Sequence, residues 1–179
     1  MMSEITWPES YLPGTTDNYV SNEIIVSGLS VADVWPYINT PSLWPTYYGN
    51  ASEVRIHKAG VSELSLGTRF RFTTFGFPVE GEVNEYEPPA SGKAAHVAWH
   101  GWVEGDSATR LDVHHAWLFE DLPGGRVRIL TQETQIGQPA QELAATKPNP
   151  MLNAHQAWIE GLAAVALKNK PATKESSHE

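Results

Sequence analysis

The length, composition and charge of the chain exclude several classes of protein. It has 179 residues, of which 41% are hydrophobic and 18% charged, a balance typical of one folded domain with a buried core rather than of a disordered chain. With 12 basic and 21 acidic residues the net charge is −9, which disfavours nucleic-acid binding, and the absence of cysteine excludes thiolate catalysis, zinc–cysteine sites and disulfides.

The sequence contains neither a membrane segment nor an internal linker. No apolar run approaches the ~20 residues needed to cross a bilayer, and the first eight residues lack the basic start and apolar stretch of a signal peptide. We therefore expect a cytoplasmic protein with no stable membrane insertion. Its predicted organisation is an irregular N-terminal arm (residues 1–17), a single domain (residues 18–168) and a flexible tail (residues 169–179).

The first part of the domain predicts a strand followed by two short helices. β-branched residues between positions 18 and 28 indicate the strand. Ser30 and Asp33 have the spacing of a capping box, so a helix should follow, although Pro36 is expected to shorten it, kink it or delay its start. Thr40 and Pro41 predict a second helical start, with Thr40 as the cap.

The remainder of the domain predicts six strands and a long helix. Residues 51–137 alternate between apolar and polar side chains, with glycine and proline between the runs, which indicates an antiparallel meander. After a short helical segment at residues 139–146, Asn149 and Pro150 have the pattern of a helix start, and apolar residues then recur every three or four positions to about Leu167. The predicted class is α+β, a curved seven-stranded antiparallel sheet with a long C-terminal helix.

Several segments resemble one known superfamily in order and spacing. They are Ile24–Val26 with Ser30–Trp35, Gly67–Phe70, Val83–Pro88, Trp117–Glu120 and Val127–Glu133. Over about residues 18–168 the chain resembles the START/Bet v 1-like helix-grip superfamily (SRPBCC), and within it the polyketide cyclase/dehydrase and lipid-transport-like proteins. The resemblance implies a cavity between the sheet and the C-terminal helix that holds one small hydrophobic or amphipathic molecule, with no metal and no organic cofactor.

Face parity along the strands predicts which side chains line that cavity. The candidate ligand-binding residues are Phe70, Phe72, Val83, Val97, Trp99, Val113, Trp117, Ile129, Thr131, His155 and Trp158. On one strand the pattern does not decide whether His96 and His100 or Val97 and Trp99 point inward. A metal site at that histidine pair is the less favoured interpretation of the two residues.

His115 and Glu133 are the candidate catalytic residues. Adjacent His114 and His115 must point to opposite faces, and His115 shares its face with apolar residues. Glu133 continues the presumed inward face of the last strand, where an unpaired carboxylate is costly, so the two side chains are candidates for an acid/base pair. The alternatives are a hydrogen-bonded core histidine and a glutamate in an ion pair or in water at the open end of the sheet.

Three functions remain open from the sequence. The first is a carrier or binding protein for a hydrophobic, aromatic or lipid-like molecule. The second is a polyketide cyclase/dehydratase-type enzyme without a cofactor, and the third is a chaperone-associated interaction module with a filled core. The exposed edge of the predicted sheet allows either a homodimer or a cover formed by the N-terminal arm.

Overall fold

One antiparallel sheet packs against one long helix in the computed structural model, which describes residues 1–171. The strands are β1 (Asn18–Ser27), β2 (Ser52–Ile56), β3 (Arg69–Thr74), β4 (Phe77–Glu87), β5 (Ala95–Val103), β6 (Leu111–Leu122) and β7 (Arg126–Ile136). Their order in the sheet is β1-β7-β6-β5-β4-β3-β2, so β1 and β2 form the edges. This architecture confirms the predicted α+β helix-grip class. Most of the predicted tail, residues 172–179, lies outside the described residues.

The helices lie at the two points of the chain where the sequence predicts them. They are α1 (Val31–Asn39), α2 (Trp44–Tyr47), α3 (Gln138–Ala145) and α4 (Pro150–Asn169), with short 3-10 turns at Glu9–Tyr11 and Pro41–Leu43. The side chain of Asn149 accepts a hydrogen bond from the backbone N–H of Met151 and so caps α4. Within residues 1–171, none of these helices has the length and apolar character needed to span a bilayer.

Helix α1 and the turn that follows it refine two local predictions. The capping box between Ser30 and Asp33 forms and the helix is short, with 9 residues, although it continues past Pro36 to Asn39. The carbonyl oxygen of Pro36 still accepts a bond from the N–H of Thr40, and the helix buries Val34 and Ile38 completely, so packing outweighs the bond that proline cannot donate. The side chain of Thr40 caps nothing, because the chain continues directly into a 3-10 turn.

The N-terminal arm lies on the outer face of the sheet, away from α4. Arg128 on β7 donates a hydrogen bond to the carbonyl oxygen of Ser3 at 2.9 Å, and the hydroxyl of Tyr11 donates to Asp112 on β6 at 2.7 Å. The ring of Trp7 packs on His114, with 5.5 Å between ring centroids. The arm therefore covers the outer surface of β6 and β7.

Four tryptophan side chains fill the centre of the space between the sheet and α4. Trp44 stacks on Trp99 with 5.5 Å between ring centroids, and Trp158 on α4 packs edgewise against Trp44 at 5.2 Å and Trp117 at 5.1 Å. All four are at most 1% exposed. The wide space that such a fold can enclose is therefore occupied in its middle by aromatic rings.

Candidate functional site

The structure decides which face of β5 points inward. Val97 and Trp99 are buried on the inner face. His96 and His100 point outward, where His96 Nδ1 lies 3.2 Å from Glu85 and His100 Nε2 lies 2.7 Å from Asp112. These two histidines belong to separate partly exposed pairs and do not form a common site.

Cross-strand register places three site residues in one row on the inner face. Trp99 on β5 lies opposite His115 on β6, and His115 lies opposite Glu133 on β7. Directly opposed side chains of neighbouring strands are in contact distance, and the Nδ1 atom of His115 is 3.4 Å from Oε1 of Glu133. His115 and Glu133 therefore share one buried environment.

Helix α4 adds a second histidine to this pair. The ring of His155 stacks on the ring of His115, with 4.5 Å between centroids and 8° between planes. The three side chains, which we call the inner cluster (His115, Glu133 and His155), are 2%, 5% and 3% exposed. One possible ligand atom from each lies within 4.8 Å of the other two.

Hydrogen bonds fix the orientation of two members of the inner cluster. Nε2 of His115 lies 2.8 Å from Oγ1 of Thr131, whose hydroxyl donates its proton to the carbonyl oxygen of Ala116. The threonine oxygen is therefore an acceptor, which assigns the proton of His115 to Nε2. Gln135 donates to Oε2 of Glu133 at 2.6 Å. Oε1 of that carboxyl group is consequently the oxygen turned toward His115.

Gln135 also links Glu133 to the start of α4. Asn149, the cap of α4, donates from Nδ2 to Asn18 at 2.8 Å. Asn18 donates to the side-chain oxygen of Gln135 at 2.8 Å, and Gln135 in turn donates to Glu133. Three side-chain amides therefore run from α4 across β1 and β7 to the buried carboxyl group, each donating toward it.

Burial favours the neutral form of every member of the inner cluster. Loss of water raises the pKa of Glu133 to about 8, against an opposing effect of the Gln135 hydrogen bond. Burial lowers the pKa of His155 to about 3 and holds the pKa of His115 well below its ordinary value, with help from the neighbouring histidines. Although His115 and Glu133 are at ion-pair distance, two neutral groups describe this pair better than a salt bridge.

An apolar pocket reaches the inner cluster from the side of α3. It lies between the tips of β3 and β4, the inner faces of β5 and β6, and the turn from α3 to α4, and Leu143 and Met151 contribute the helical wall. The cavity is about 40 Å³ in volume, and the wider empty space among its lining residues, part of it open to solvent, is about 460 Å³. Thr74, Glu133 and Gln135 contribute polar groups to an otherwise mainly apolar lining.

The candidate ligand-binding residues divide between this pocket and the filled core. Phe72, Trp99 and Val113 line the pocket. The others are buried elsewhere on the inner face or on α4, namely Phe70, Val83, Val97, Trp117, Ile129, Thr131, His155 and Trp158. Thr131 contacts the inner cluster and His155 belongs to it, whereas the apolar members of this group fill the core.

Several pocket residues are absent from the candidates of the sequence analysis. Gln135 is two positions after Glu133, so face parity alone would have identified it. Phe75 and Phe77 lie at the turn between β3 and β4. Their position in the sequence indicates a turn rather than a binding site, yet both line the pocket. Leu143 and Met151 come from the interrupted helical segment, and their position over the sheet depends on tertiary packing.

Comparisons with solved structures decide the family. A hypothetical protein from Helicobacter pylori is 46% identical, with a TM-score of 0.89 over 93% of this chain and 98% of that chain. The chain belongs to the same family as this hypothetical protein.

More distant START/Bet v 1-like structures share the fold alone. Norcoclaurine synthase from Thalictrum flavum, in complex with dopamine and hydroxybenzaldehyde, is 14% identical, with a TM-score of 0.58 over 96% of this chain and all of that chain. A protein from Chromobacterium violaceum is 13% identical, with a TM-score of 0.58 over 83% of this chain and 97% of that chain. No protein-family model and no curated protein matches the chain.

Proposed function

We propose that the protein is a cytoplasmic carrier or binding protein for one small hydrophobic or aromatic molecule, which it holds in the pocket beneath α3. The observation that carries this proposal is an apolar pocket that ends on two polar side chains, Glu133 and Gln135. Small-molecule sites typically combine apolar walls with a few polar groups that fix orientation. The ligand would direct its polar atom toward Glu133 and its apolar part toward Phe72, Val79 and Trp99.

The size of the pocket restricts the ligand. The cavity itself is only about 40 Å³, and the wider space of about 460 Å³ is partly open to solvent, so a ligand has to displace lining side chains. The core tryptophans fill the centre of the space between the sheet and α4, where an acyl chain would have to lie. We therefore expect a flat molecule with one or two rings rather than an acyl chain. The complex of norcoclaurine synthase with dopamine and hydroxybenzaldehyde supports the same size class on this fold, at 14% identity.

A matched pair of variants tests the pocket. Leu143 is half-buried and lines it, whereas Leu152 is 40% exposed on α4 and is not part of the lining. We expect Leu143→Trp to fill the pocket and Leu152→Trp to leave it open. A panel of phenol, benzaldehyde, indole and a long-chain fatty acid would be screened by ligand-observed NMR, and the wild-type protein by native mass spectrometry for a retained molecule.

The expected result is that a ring compound binds the wild-type protein and Leu152→Trp with similar affinity, and binds Leu143→Trp at least ~10-fold more weakly. Preference for the fatty acid would overturn the size argument. Equal binding to all three proteins would place the ligand elsewhere. If neither the panel nor native mass spectrometry detects a ligand, a filled-core interaction module becomes the better interpretation.

The second candidate function is a cyclase/dehydratase-type enzyme. The favouring observation is that the carboxyl group of Glu133 faces both the pocket and His115, so a ligand in the pocket would contact a group able to exchange a proton with it. Glu133→Gln separates the two functions, because the amide keeps the shape and the hydrogen bond from Gln135 but carries no exchangeable acid. An enzyme would bind its substrate and lose turnover, whereas a carrier would show no turnover to lose.

A further inference from the structure

The inner cluster combines two imidazoles and one carboxylate from three different elements. His115 is on β6, Glu133 on β7 and His155 on α4, and their ligand atoms lie within 4.8 Å of one another. We propose that these three residues bind one divalent first-row transition metal ion of the Zn²⁺ or Fe²⁺ kind. Two histidines and one carboxylate are a donor set that such ions accept with at least one position left open. The proposal requires no organic ligand in the pocket.

The arrangement of electron pairs supports a cation between His115 and Glu133. With the proton of His115 on Nε2, toward Thr131, its Nδ1 atom carries a lone pair. That lone pair faces Oε1 of Glu133 at 3.4 Å, without a hydrogen bond of normal geometry. The proton of a neutral Glu133 occupies this position in the metal-free protein, and a metal ion with neutral imidazole and ionised carboxylate ligands would displace it on binding.

The groups around the inner cluster already hold two of the ligands as a metal site requires. Thr131 fixes the tautomer of His115, and Gln135 holds Oε2 of Glu133 so that Oε1 is presented to the cluster. Outer hydrogen-bond partners of this kind orient the ligands in metal sites. His155 provides an independent indication. The residue is 97% buried, and its Nδ1 atom has no hydrogen-bond partner within residues 1–171.

Binding requires one local rearrangement. The rings of His115 and His155 are parallel within 8°, so an ion in the plane of one ring would lie well outside the plane of the other. We expect the His155 ring to rotate about its Cβ–Cγ bond on binding, because a tetrahedral site with ~2.1 Å bonds needs ligand atoms ~3.4 Å apart. Glu133 also lines the apolar pocket, which is the route by which an ion would approach the cluster.

Cobalt and zinc binding to the untagged full chain tests the site. After treatment with a chelator, Co²⁺ would be added and followed by its visible ligand-field bands, with the stoichiometry measured by equilibrium dialysis and Zn²⁺ used as the competitor. We expect one ion per chain in a four- or five-coordinate site. Glu133→Gln and His155→Gln should each weaken binding at least ~100-fold, and Thr131→Val about 10–100-fold because it removes the acceptor that orients His115.

The control variant is His100→Gln, which removes a histidine of the outer face that lies 2.7 Å from Asp112. It should leave the affinity for Co²⁺ unchanged. Near-UV circular dichroism, dominated by the core tryptophans, would show whether each variant is folded. X-ray absorption of the Co²⁺-loaded wild-type protein gives a readout independent of the variants and should show two imidazole ligands.

Three kinds of result would overturn the proposal. The first is a wild-type chain that binds no Co²⁺ or Zn²⁺, and the second is folded Glu133→Gln and His155→Gln variants with wild-type affinity. The third is an absorption spectrum without imidazole scattering, or loss of binding in His100→Gln, either of which assigns the ion to the surface. None of these results bears on the apolar pocket, whose test uses Leu143 and Leu152.

Discussion

The two faces of the central strands carry the same residue type in opposite electrostatic states. On the outer face, a hydrogen bond to Glu85 raises the pKa of His96 and favours its charged form. On the inner face, burial lowers the pKa values of His115 and His155 and favours their neutral forms. The difference shows that the outer histidines can serve as partners for carboxylates, whereas the inner ones are available as lone-pair donors.

His114 shows that the face of the sheet is not by itself the deciding factor. It points outward, yet burial lowers its pKa to about 4, because Trp7 and Tyr11 of the N-terminal arm cover it. Exclusion of water by the arm has the same effect on this ring as the core has on its neighbour His115. The pKa of a histidine in this sheet therefore depends on its environment. A ring near water with a carboxylate partner favours the charged form, and a ring shielded from water favours the neutral form.

The largest effect is expected from removing packing on the inner face. Trp158→Ala should lower the free energy of unfolding by about 3–5 kcal/mol, since it opens a cavity against the buried rings of Trp44 and Trp117. Its control on the outer face is Trp102→Ala, where the ring is partly exposed under Arg69 and the expected loss is about 1 kcal/mol. Urea unfolding measures both, and equal losses would contradict the assignment of the core to the inner face.

Loss of a single buried acceptor should be the next largest effect. Thr131→Val keeps the shape of the side chain but leaves Nε2–H of His115 without a partner, which costs about 1–3 kcal/mol of unfolding free energy. His100→Gln, in a pair that is 38% and 30% exposed, should cost only about 0–1 kcal/mol. A Thr131→Val protein as stable as the wild type would mean that His115 has another hydrogen-bond partner.

The pH dependence of the free energy of unfolding distinguishes the buried titratable side chains from the partly exposed ones. The pKa of Glu133 is raised from 4.5 to about 8 in the folded protein, so its contribution is complete below about pH 4.5 and is lost as the pH rises through about 8. In the presence of a chelator, the wild-type protein should lose about 1–2 kcal/mol between about pH 6 and pH 8. Glu133→Gln should remove most of this slope, and an unchanged slope would assign it to another group.

On the acid side the sign is reversed. The pKa of His155 is lowered from 6.5 to about 3, so its contribution to stability is present above about pH 6.5 and is lost as the pH falls toward 3. Unfolding in urea between about pH 4 and pH 7 should therefore show a shallower acid decline for folded His155→Gln than for the wild type. His96→Gln is the matched control, because its folded pKa is raised, and it should not make the decline shallower.

The smallest expected effect concerns the cover over His114. Tyr11→Phe removes the hydrogen bond to Asp112 while keeping the ring, and should cost about 0.5–1.5 kcal/mol. NMR titration of the His114 ring is the more sensitive measurement, since a looser arm admits water and moves its pKa back toward 6.5. A pKa that stays near 4 would show that the arm does not depend on this bond.

Much of the fold could be predicted because its signals are local. The capping box at Ser30 and the Asn149–Pro150 start of α4 depend on residues a few positions apart, and both form as predicted. Strand parity likewise places His115 and Glu133 on a common inner face. The helix through Pro36 was not predictable in this way, because its persistence depends on burial against the sheet.

The site was only partly predictable for a related reason. The alternation along a strand predicts which face a side chain is on, but not which helix residue packs over it. The contact between His115 and His155 depends on how α4 packs across the sheet. Each face of β5 carries one tryptophan, Trp99 or Trp102, so parity alone left the inward face undecided between Val97 and His96 until the strand pairing was known. The pocket lies at one end of the space between the sheet and α4, because the tryptophan side chains fill the centre of that space.

The hydrogen-bonded side-chain amides of Asn149, Asn18 and Gln135 connect two sides of the pocket, the start of α4 and the inner face of β7. Asn149 begins the helix that carries Met151 in the wall, and Gln135 is both the last of these amides and part of the lining. A displacement of the α3–α4 turn would therefore also pull on the amide that donates to Oε2 of Glu133. The position of that turn and the acidity of Glu133 are thereby mechanically linked.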